Sequence, residues 1–155
     1  MGISGDRTQH LLWRITNGAL DTDVDTTFVV AIGTNNIGHD APADVARGIE
    51  TIITTIRKRR PRCAILLSPV LPRGHAAEDP GRLSAEAINA LIRPLADDSM
   101  IHWVDCSGLM QDDALTPGCH AGDGLHLAVP GYQVWGEAIR RAYRAARERQ
   151  TRPSG

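Results

Sequence analysis

The sequence predicts a single α/β domain built on a parallel sheet. Three short apolar runs, at residues 28–32, 63–67 and 101–105, alternate with segments whose apolar residues recur at helical spacing. Continuous apolar runs of this length are typical of strands that are buried on both faces. Strands that alternate with helices form βαβ units with right-handed crossovers, and the site in such sheets lies at the carboxyl ends of the strands.

Size and composition agree with this class. The 155 residues suffice for one domain with its own core, predicted over residues 1–149, and 42% hydrophobic and 23% charged residues are ordinary values. A net charge of −1 gives no reason to expect binding to nucleic acid or to an anionic membrane. No apolar run approaches the roughly 18 residues of a membrane span, and no signal segment follows Met1. The three cysteines are an odd number, so we expect reduced thiols and a cytoplasmic protein.

The first half of the chain contains two predicted helices around the first strand. A helix over residues 7–17 has its apolar residues on one face, and Gly18 is a usual helix stop. The strand over 28–32 ends in a glycine turn. The next helix covers 42–59, with a proline at its first position and Pro61 after its end. The residues expected to face the core are Leu11, Leu12, Trp13, Ile15, Val45, Ile49, Ile52, Ile53 and Ile56.

The second half repeats the alternation. A strand over residues 63–67 leads through a loop to a helix over 83–95, and the strand over 101–105 follows. A long irregular stretch then precedes the final helix over 130–147, which begins with a proline, as is normal in a first turn. We expect residues 150–155 to be a disordered tail.

An acid and a histidine stand three residues apart in the loop before the final helix. Glycines loosen this loop, so the carboxylate of Asp123 can reach the ring of His126. A carboxylate on one ring nitrogen fixes the tautomer and leaves the other nitrogen free to accept a proton, which is the base half of a nucleophilic hydrolase. The alternative interpretation is a surface turn with a solvated histidine.

Three further residues are candidates for the site. Asn35 follows the first strand in a glycine turn, where its amide either donates to an oxyanion or simply suits the turn. Gly5 lies in a turn that opens a helix, so its N–H either points at an anion or belongs to a plain helix start. Arg73 is expected near the strand ends, where it contacts substrate or an acidic neighbour, or is solvated.

A metal site was the other chemistry to consider. Cys119, His120, Asp123 and His126 lie close together in sequence. Their spacing lacks the paired C-x-x-C or H-x-x-x-H form that indicates zinc ligands. We therefore expect no metal.

Four motifs occur in order along the chain: GISGDRTQHLLWR at residues 2–14 with Asn-Gly at 17–18, GTNN at 33–36, LPRG at 71–74, and DGLHL at 123–127 with Gly-Tyr at 131–132. Together they resemble the conserved blocks of the SGNH (GDSL-type) hydrolases. The likeness is greatest to the branch that contains the catalytic subunits of intracellular platelet-activating-factor acetylhydrolase. It extends from residue 2 to about residue 142.

The resemblance implies a fold and a reaction. The family fold is a flavodoxin-like three-layer α/β/α sandwich. Carried onto this sequence, Gly5 is a backbone oxyanion donor, Asn35 a side-chain oxyanion donor, His126 the general base and Asp123 the residue that orients it. The implied reaction is hydrolysis of short-chain acyl or acetyl esters through a serine acyl-enzyme, with no metal or cofactor. The related enzymes form dimers, so a homodimer is an expected assembly.

The sequence departs from the family at the nucleophile. The family's serine belongs to a Gly-Asp-Ser block at the end of its first strand, and this chain contains no Gly-Asp-Ser. The Gly-Asp pairs at residues 5–6 and 122–123 are followed by arginine and glycine. Ser4 and Ser68 are the nearest alternatives, but neither has a partner that would activate it. We expect this chain by itself to be inactive and to lack the first one or two strands of the family sheet.

Two explanations of this departure stay open. Met1 is either an internal methionine of a longer serine esterase, or the start of a remnant that keeps the fold as an interaction module. A third interpretation, a flavodoxin-like binding or signalling domain, would need a phosphate-binding loop, which we do not find. Without the family's first strand beside it, the strand over 28–32 becomes a bare apolar edge, so we expect the 155-residue chain alone to be marginally stable and association-prone.

Overall fold

The computed structural model of the protein describes residues 2–21 and 27–151. Its helices are α1 (Thr8–Thr16), α2 (Pro42–Arg59), α3 (Pro80–Ile92) and α4 (Val129–Thr151). Its strands are β1 (Phe28–Val30), β2 (Ile65–Leu67), β3 (Ile101–Trp103), β4 (Met110–Gln111) and β5 (Ala114–Leu115). Short 3₁₀ turns occupy Thr34–Asn36, Arg93–Leu95 and Ser107–Leu109.

The first three strands form one parallel sheet in the order β1-β2-β3. Successive side chains of β2 point to opposite faces. Ile65 and Leu67 join the apolar cluster that contains α2 and α3, whereas Leu66 joins the cluster that contains α4. Helices therefore cover both faces, and the molecule is the three-layer α/β/α sandwich that the resemblance implies.

The larger cluster lies between the sheet and α1, α2 and α3. All five α2 residues predicted to face inward, Val45, Ile49, Ile52, Ile53 and Ile56, are buried. Helix α1 crosses α2 at a glycine, since a Cβ atom at Gly48 would lie 2.8 Å from the hydroxyl oxygen of Thr8. The close contact of these helices matters for the site because α1 follows directly after the turn that contains Gly5.

The element boundaries differ from the prediction most clearly in the strands of the parallel sheet and in α3. Each sheet strand has three residues instead of five, although Ala64 and Val104 beside β2 and β3 remain buried. Helix α3 begins at Pro80, because the carboxylate of Asp79 accepts the backbone N–H groups that open the helix. Pro94 is accommodated in a 3₁₀ turn after this helix.

Other expectations were wrong or fall outside the described residues. Trp13 is 63% exposed, so it lies outside the core. The stretch predicted to be irregular contains the antiparallel pair β4–β5. Helix α4 continues to Thr151, two residues into the segment predicted as a tail. Residues 22–26, part of the predicted polar connection, and residues 152–155 lie outside the described residues.

The state of the cysteines and the character of the helices relate to two expectations, which are reduced thiols and no membrane span. Cys63, Cys106 and Cys119 are all buried, and none forms a disulfide. Of the helices in the two described ranges, none is both long enough and apolar enough to cross a bilayer.

Candidate active site

The loop before α4 brings together the acid and the histidine that the sequence singled out. Nδ1 of His126 lies 2.6 Å from Oδ2 of Asp123. The other carboxylate oxygen accepts the backbone N–H groups of Leu125, at 2.9 Å, and of His126, at 3.0 Å. Gly124, at φ +62°, lets the chain turn between the two side chains. The predicted contact between Asp123 and His126 is thus present.

These contacts determine the charge of Asp123 and the tautomer of His126. The hydrogen bond from the His126 ring, together with the two backbone N–H groups, holds the pKa of Asp123 well below its usual range. An ionised carboxylate can only accept, so Nδ1 of His126 carries the proton and Nε2 of the neutral ring has a free lone pair. The His126 side chain is 72% exposed. It is therefore arranged as an accessible proton acceptor.

Backbone hydrogen bonds fix the loop that carries this pair. The N–H of Ala121 donates to the carbonyl of His126 at 2.8 Å, and the N–H of Ala128 donates to the carbonyl of Cys119 at 2.9 Å. The same Cys119 carbonyl lies against Gly131 in the first turn of α4, where a Cβ atom would be 2.0 Å from that oxygen. A side chain at position 131 would displace the loop, which explains the glycine there.

His126 shares one cavity with the two predicted oxyanion donors. This cavity has a volume of about 370 Å³, and Gly5, Asn35 and His126 all line it. Its remaining walls are mainly apolar and include Ile32 and Trp135. A larger groove of about 800 Å³ lies elsewhere, against β1 and α4, and contains none of the predicted site residues.

Asn35 reaches the cavity from the turn that follows β1. Gly33 begins this turn at φ +116°, and a Cβ atom there would lie 3.1 Å from Val70 and 3.2 Å from Val45. The Asn35 amide donates one N–H to the carbonyl of Asp6 at 3.0 Å. No other bond of this amide occurs within the described residues, so its second N–H is available to a ligand in the cavity.

An ion pair that the sequence analysis missed supports the turn containing Gly5. Nε and Nη2 of Arg14 lie 3.0 and 3.1 Å from the two carboxylate oxygens of Asp6. The hydrogen bond from Arg14 holds the pKa of Asp6 below its ordinary value. Because Asp6 follows Gly5 and its carbonyl accepts from Asn35, this forked contact fixes both predicted oxyanion donors to α1. The spacing of eight residues matches no regular helical pairing, so no sequence pattern indicated it.

Arg73 contacts the turn of Thr34–Asn36, which contains the predicted oxyanion donor Asn35, rather than the cavity itself. Its Nη1 donates to the carbonyl of Thr34 at 3.2 Å and lies 3.3 Å from the Thr34 hydroxyl. Arg73 is not one of the residues that line the cavity. A contact of Arg73 with substrate stays a prediction.

The two serines considered as alternative nucleophiles lie in different places. Ser4 lines the cavity beside Gly5. Ser68 is 2% exposed; its hydroxyl lies 3.1 Å from the carbonyl of Pro69 and accepts the indole N–H of Trp135 at 3.2 Å. Neither serine has a hydrogen bond to His126 within the described residues.

The residues considered as a metal cluster do not converge. Cys119 is buried in the apolar cluster under α4, and Nε2 of His120 lies 3.0 Å from the carbonyl of Pro72. In the described part of the chain, no group of three or more histidine, cysteine or carboxylate side chains is placed to hold a metal ion.

Comparison with known proteins places this geometry in context. The sequence profile of the GDSL-like Lipase/Acylhydrolase family matches residues 1–134. The chain is 37% identical over 133 residues to platelet-activating factor acetylhydrolase IB subunit alpha1 of Pongo abelii, covering 84% of this chain and 57% of that protein. It is 38% identical over 136 residues to subunit alpha2 of Bos taurus, with the same coverage of 84% and 57%.

A solved structure gives the same result for the fold. The crystal structure of a GDSL-like lipase from Bacteroides thetaiotaomicron VPI-5482 matches with a TM-score of 0.77 at 22% identity, over 94% of this chain and 75% of that one. The chain thus has the fold of that lipase. It spans a little over half the length of the curated relatives that it matches.

Proposed function

The chain belongs to the GDSL-like lipase/acylhydrolase family, near the platelet-activating-factor acetylhydrolase branch, and we propose that it forms most of a serine ester hydrolase for acetyl or other short-chain acyl esters. The observation that carries the proposal is the meeting of His126, Gly5 and Asn35 in one cavity. A base oriented by Asp123 and two N–H donors are what acyl transfer to a serine requires.

Each residue has a defined role in the proposed reaction. Nε2 of His126 accepts the proton of a serine hydroxyl while the oxygen of that hydroxyl attacks the ester carbonyl. The backbone N–H of Gly5 and the free amide N–H of Asn35 hold the resulting oxyanion. Asp123 stabilises the imidazolium, which then protonates the leaving alcohol. Water, activated by the same His126, releases the acid from the acyl-enzyme. These steps need no metal and no cofactor.

We propose that the nucleophilic serine comes from a Gly-Asp-Ser segment encoded upstream of Met1, and that the 155-residue chain alone is inactive. The printed sequence contains no Gly-Asp-Ser, and the curated relatives are much longer than the matched region. The side of β1 away from β2 has no partner strand among the described residues, which leaves room for a further strand.

The cavity favours a small acyl group. Apolar walls and a volume of about 370 Å³ suit an acetyl or short alkyl chain better than a long one. The names of the relatives, which are acetylhydrolase subunits, support the same choice.

The buried, unpaired cysteines support a cytoplasmic location. A homodimer is the assembly we propose for the complete enzyme.

The test compares two purified proteins in the hydrolysis of p-nitrophenyl acetate. One is this chain, and the other is extended upstream to include any in-frame Gly-Asp-Ser. We expect turnover only by the extended form, and its loss on His126→Ala. If the short chain alone is active and needs His126, the nucleophile lies within it, and Ser4 is the first residue to replace.

One observation favours a second candidate function. The groove of about 800 Å³ against β1 and α4 is bordered by the apolar side chains of Val29 and Ile139 and by several arginines, so this chain has an open surface of mixed character away from the site. A protein that has lost its nucleophile and kept its fold could use such a surface as an interaction module. This candidate gains support if neither the short nor the extended protein hydrolyses the ester.

A further inference from the structure

A histidine outside the proposed catalytic set joins two segments of the site. Nε2 of His120 lies 3.0 Å from the carbonyl oxygen of Pro72. A carbonyl can only accept, so Nε2 carries the proton, and the lone pair of the neutral ring lies on Nδ1. This tautomer is the opposite of the one that Asp123 imposes on His126. The Nδ1 atom of His120 is buried and has no hydrogen-bond partner among the described residues.

On one side, His120 is part of the backbone that holds the general base. It forms an isolated antiparallel bridge with Leu127, the residue after His126. The neighbouring Ala121 donates its N–H to the carbonyl of His126 at 2.8 Å. A displacement of His120 would therefore move the backbone of His126.

On the other side, Pro72 belongs to the segment that contacts the oxyanion turn. The next residue, Arg73, donates from Nη1 to the carbonyl of Thr34, which precedes Asn35. The N–H of Gly74 donates to the carbonyl of Gly124 in the base loop at 2.8 Å. The segment of residues 72–74 is thus hydrogen-bonded both to the turn that contains Asn35 and to the loop that contains His126.

We propose that His120 is a positioning residue, which sets the separation between His126 and Asn35 through its hydrogen bond to Pro72 and the contact of Arg73 with Thr34. The inference rests on the proposed function, because only an acyl-transfer site needs that separation held. A packing role alone would be filled by an apolar side chain, which leaves no buried polar atom without a partner. The donor on Nε2 is the feature that an apolar side chain cannot supply.

Two variants distinguish the hydrogen-bond donor of His120 from the packing of its side chain. In His120→Gln the amide nitrogen reaches about as far as Nε2 and can donate to the Pro72 carbonyl, whereas His120→Leu fills the space without a donor. In the extended protein that carries Gly-Asp-Ser, we expect His120→Leu to lower kcat about tenfold with little change in KM, because small misplacements of catalytic groups slow the chemical step. We expect His120→Gln to recover most of the loss.

Arg73→Met removes the hydrogen bond from Arg73 to Thr34, which is the other end of the proposed connection between His126 and Asn35. We expect it to lower kcat to a similar extent, and we expect the double variant with His120→Leu to lose little more than either single variant. If the two losses multiply, the residues act separately and the proposal is overturned. If His120→Leu does not fold, the comparison of His120→Gln with Arg73→Met decides in its place: the first should be nearly as active as the parent and the second should be slow.

A measurement on the 155-residue chain tests the connection without catalysis. We expect His120→Leu to shift the NMR resonances of the Thr34 backbone amide and the Asn35 side-chain amide, and His120→Gln to return them towards the parent values. If the extended parent proves inactive, the proposed function fails while this experiment still decides the positioning role. A folded His120→Leu variant with unchanged Thr34 and Asn35 resonances would overturn the inference.

Discussion

Asn35 and Asn36 are neighbours in one 3₁₀ turn, but their side chains serve opposite sides of it. Asn35 lines the cavity and bonds only to the carbonyl of Asp6 within the described residues. Asn36 is 1% exposed; its Oδ1 accepts the backbone N–H of Thr8 at 3.1 Å, and its Nδ2 lies 2.8 Å from a carboxylate oxygen of Asp40. The first asparagine faces the cavity, and the second attaches the turn to the start of α1.

Asn36→Ala should destabilise the protein. The substitution leaves the buried N–H of Thr8 without its acceptor, which costs about 2 kcal/mol. For a chain of this size the melting temperature should fall by about 5 °C. Thermal unfolding followed by circular dichroism measures the change, with Asn35→Ala as the matched control that melts near the parent. Equal melting temperatures for Asn36→Ala and the parent would contradict this assignment.

Asn35→Ala should instead impair the reaction. Removal of one oxyanion donor lowers kcat about a hundredfold or more in comparable sites. The loss should appear in kcat rather than in KM, because the amide bonds the oxyanion more strongly than the ground-state carbonyl. The measurement is ester hydrolysis by the extended protein that carries Gly-Asp-Ser. A variant that keeps the parent's kcat would remove Asn35 from the oxyanion hole.

The pairing of Asp123 with His126 predicts a specific titration. The ring hydrogen bond is the largest cause of the lowered pKa of Asp123, so His126→Ala should raise that pKa towards its ordinary value. A lowered folded-state pKa means that the stabilisation of the pair is complete above the ordinary pKa of an aspartate. It is lost progressively as the pH falls from that ordinary pKa through the lowered one. Carboxyl ¹³C NMR of Asp123 in both proteins measures the difference, and identical titrations would show that the contact is absent in solution.

Cys106 predicts a loss of stability at high pH. Burial raises the pKa of this thiol from an ordinary 9.0 to about 11. The unfolded chain therefore loses the thiol proton first, so the contribution of Cys106 to stability is complete below pH 9 and is lost as the pH rises to about 11. Denaturant unfolding at several pH values should show a shallower decline for Cys106→Ala than for the parent. Parallel declines would mean that the thiol titrates normally in the folded protein.

The sequence predicted the fold and the loop that contains Asp123 and His126 well, for reasons that can be identified. The inward positions of α2 recur at helical spacing, so their burial followed from periodicity. Asp123 and His126 are three residues apart, and local geometry alone brings such a pair together. The position of Asn35 at the cavity followed from its place after the first strand and from the rule that sites lie at the carboxyl ends of parallel strands.

The misses have physical causes, the first of which is that tertiary contacts leave no local pattern. The forked pairing of Asp6 with Arg14 and the contact of Arg73 with Thr34 depend on how separate segments pack. Trp13 was placed in the core because it is large and apolar, but the helix turns it outward to 63% exposure. The β4–β5 pair was missed because strands of two residues carry too little alternation to be recognised.

The exposed edge of β1 should make the 155-residue chain associate. β1 pairs with β2 on one side and with no other strand in the described ranges, and Val29 is 45% exposed beside the groove against α4. An apolar strand edge of this kind pairs readily with another chain, and a charged side chain on it opposes such pairing.

Val29→Lys should therefore shift the chain towards monomer in sedimentation velocity at micromolar concentration. The matched control is Trp13→Lys, which removes a still more exposed apolar side chain on α1 rather than on the strand and should leave association unchanged. If the extended protein supplies a strand beside β1, Val29→Lys should instead lower its melting temperature. A parent chain that is monomeric and melts cooperatively at high temperature would show that the edge is not a liability.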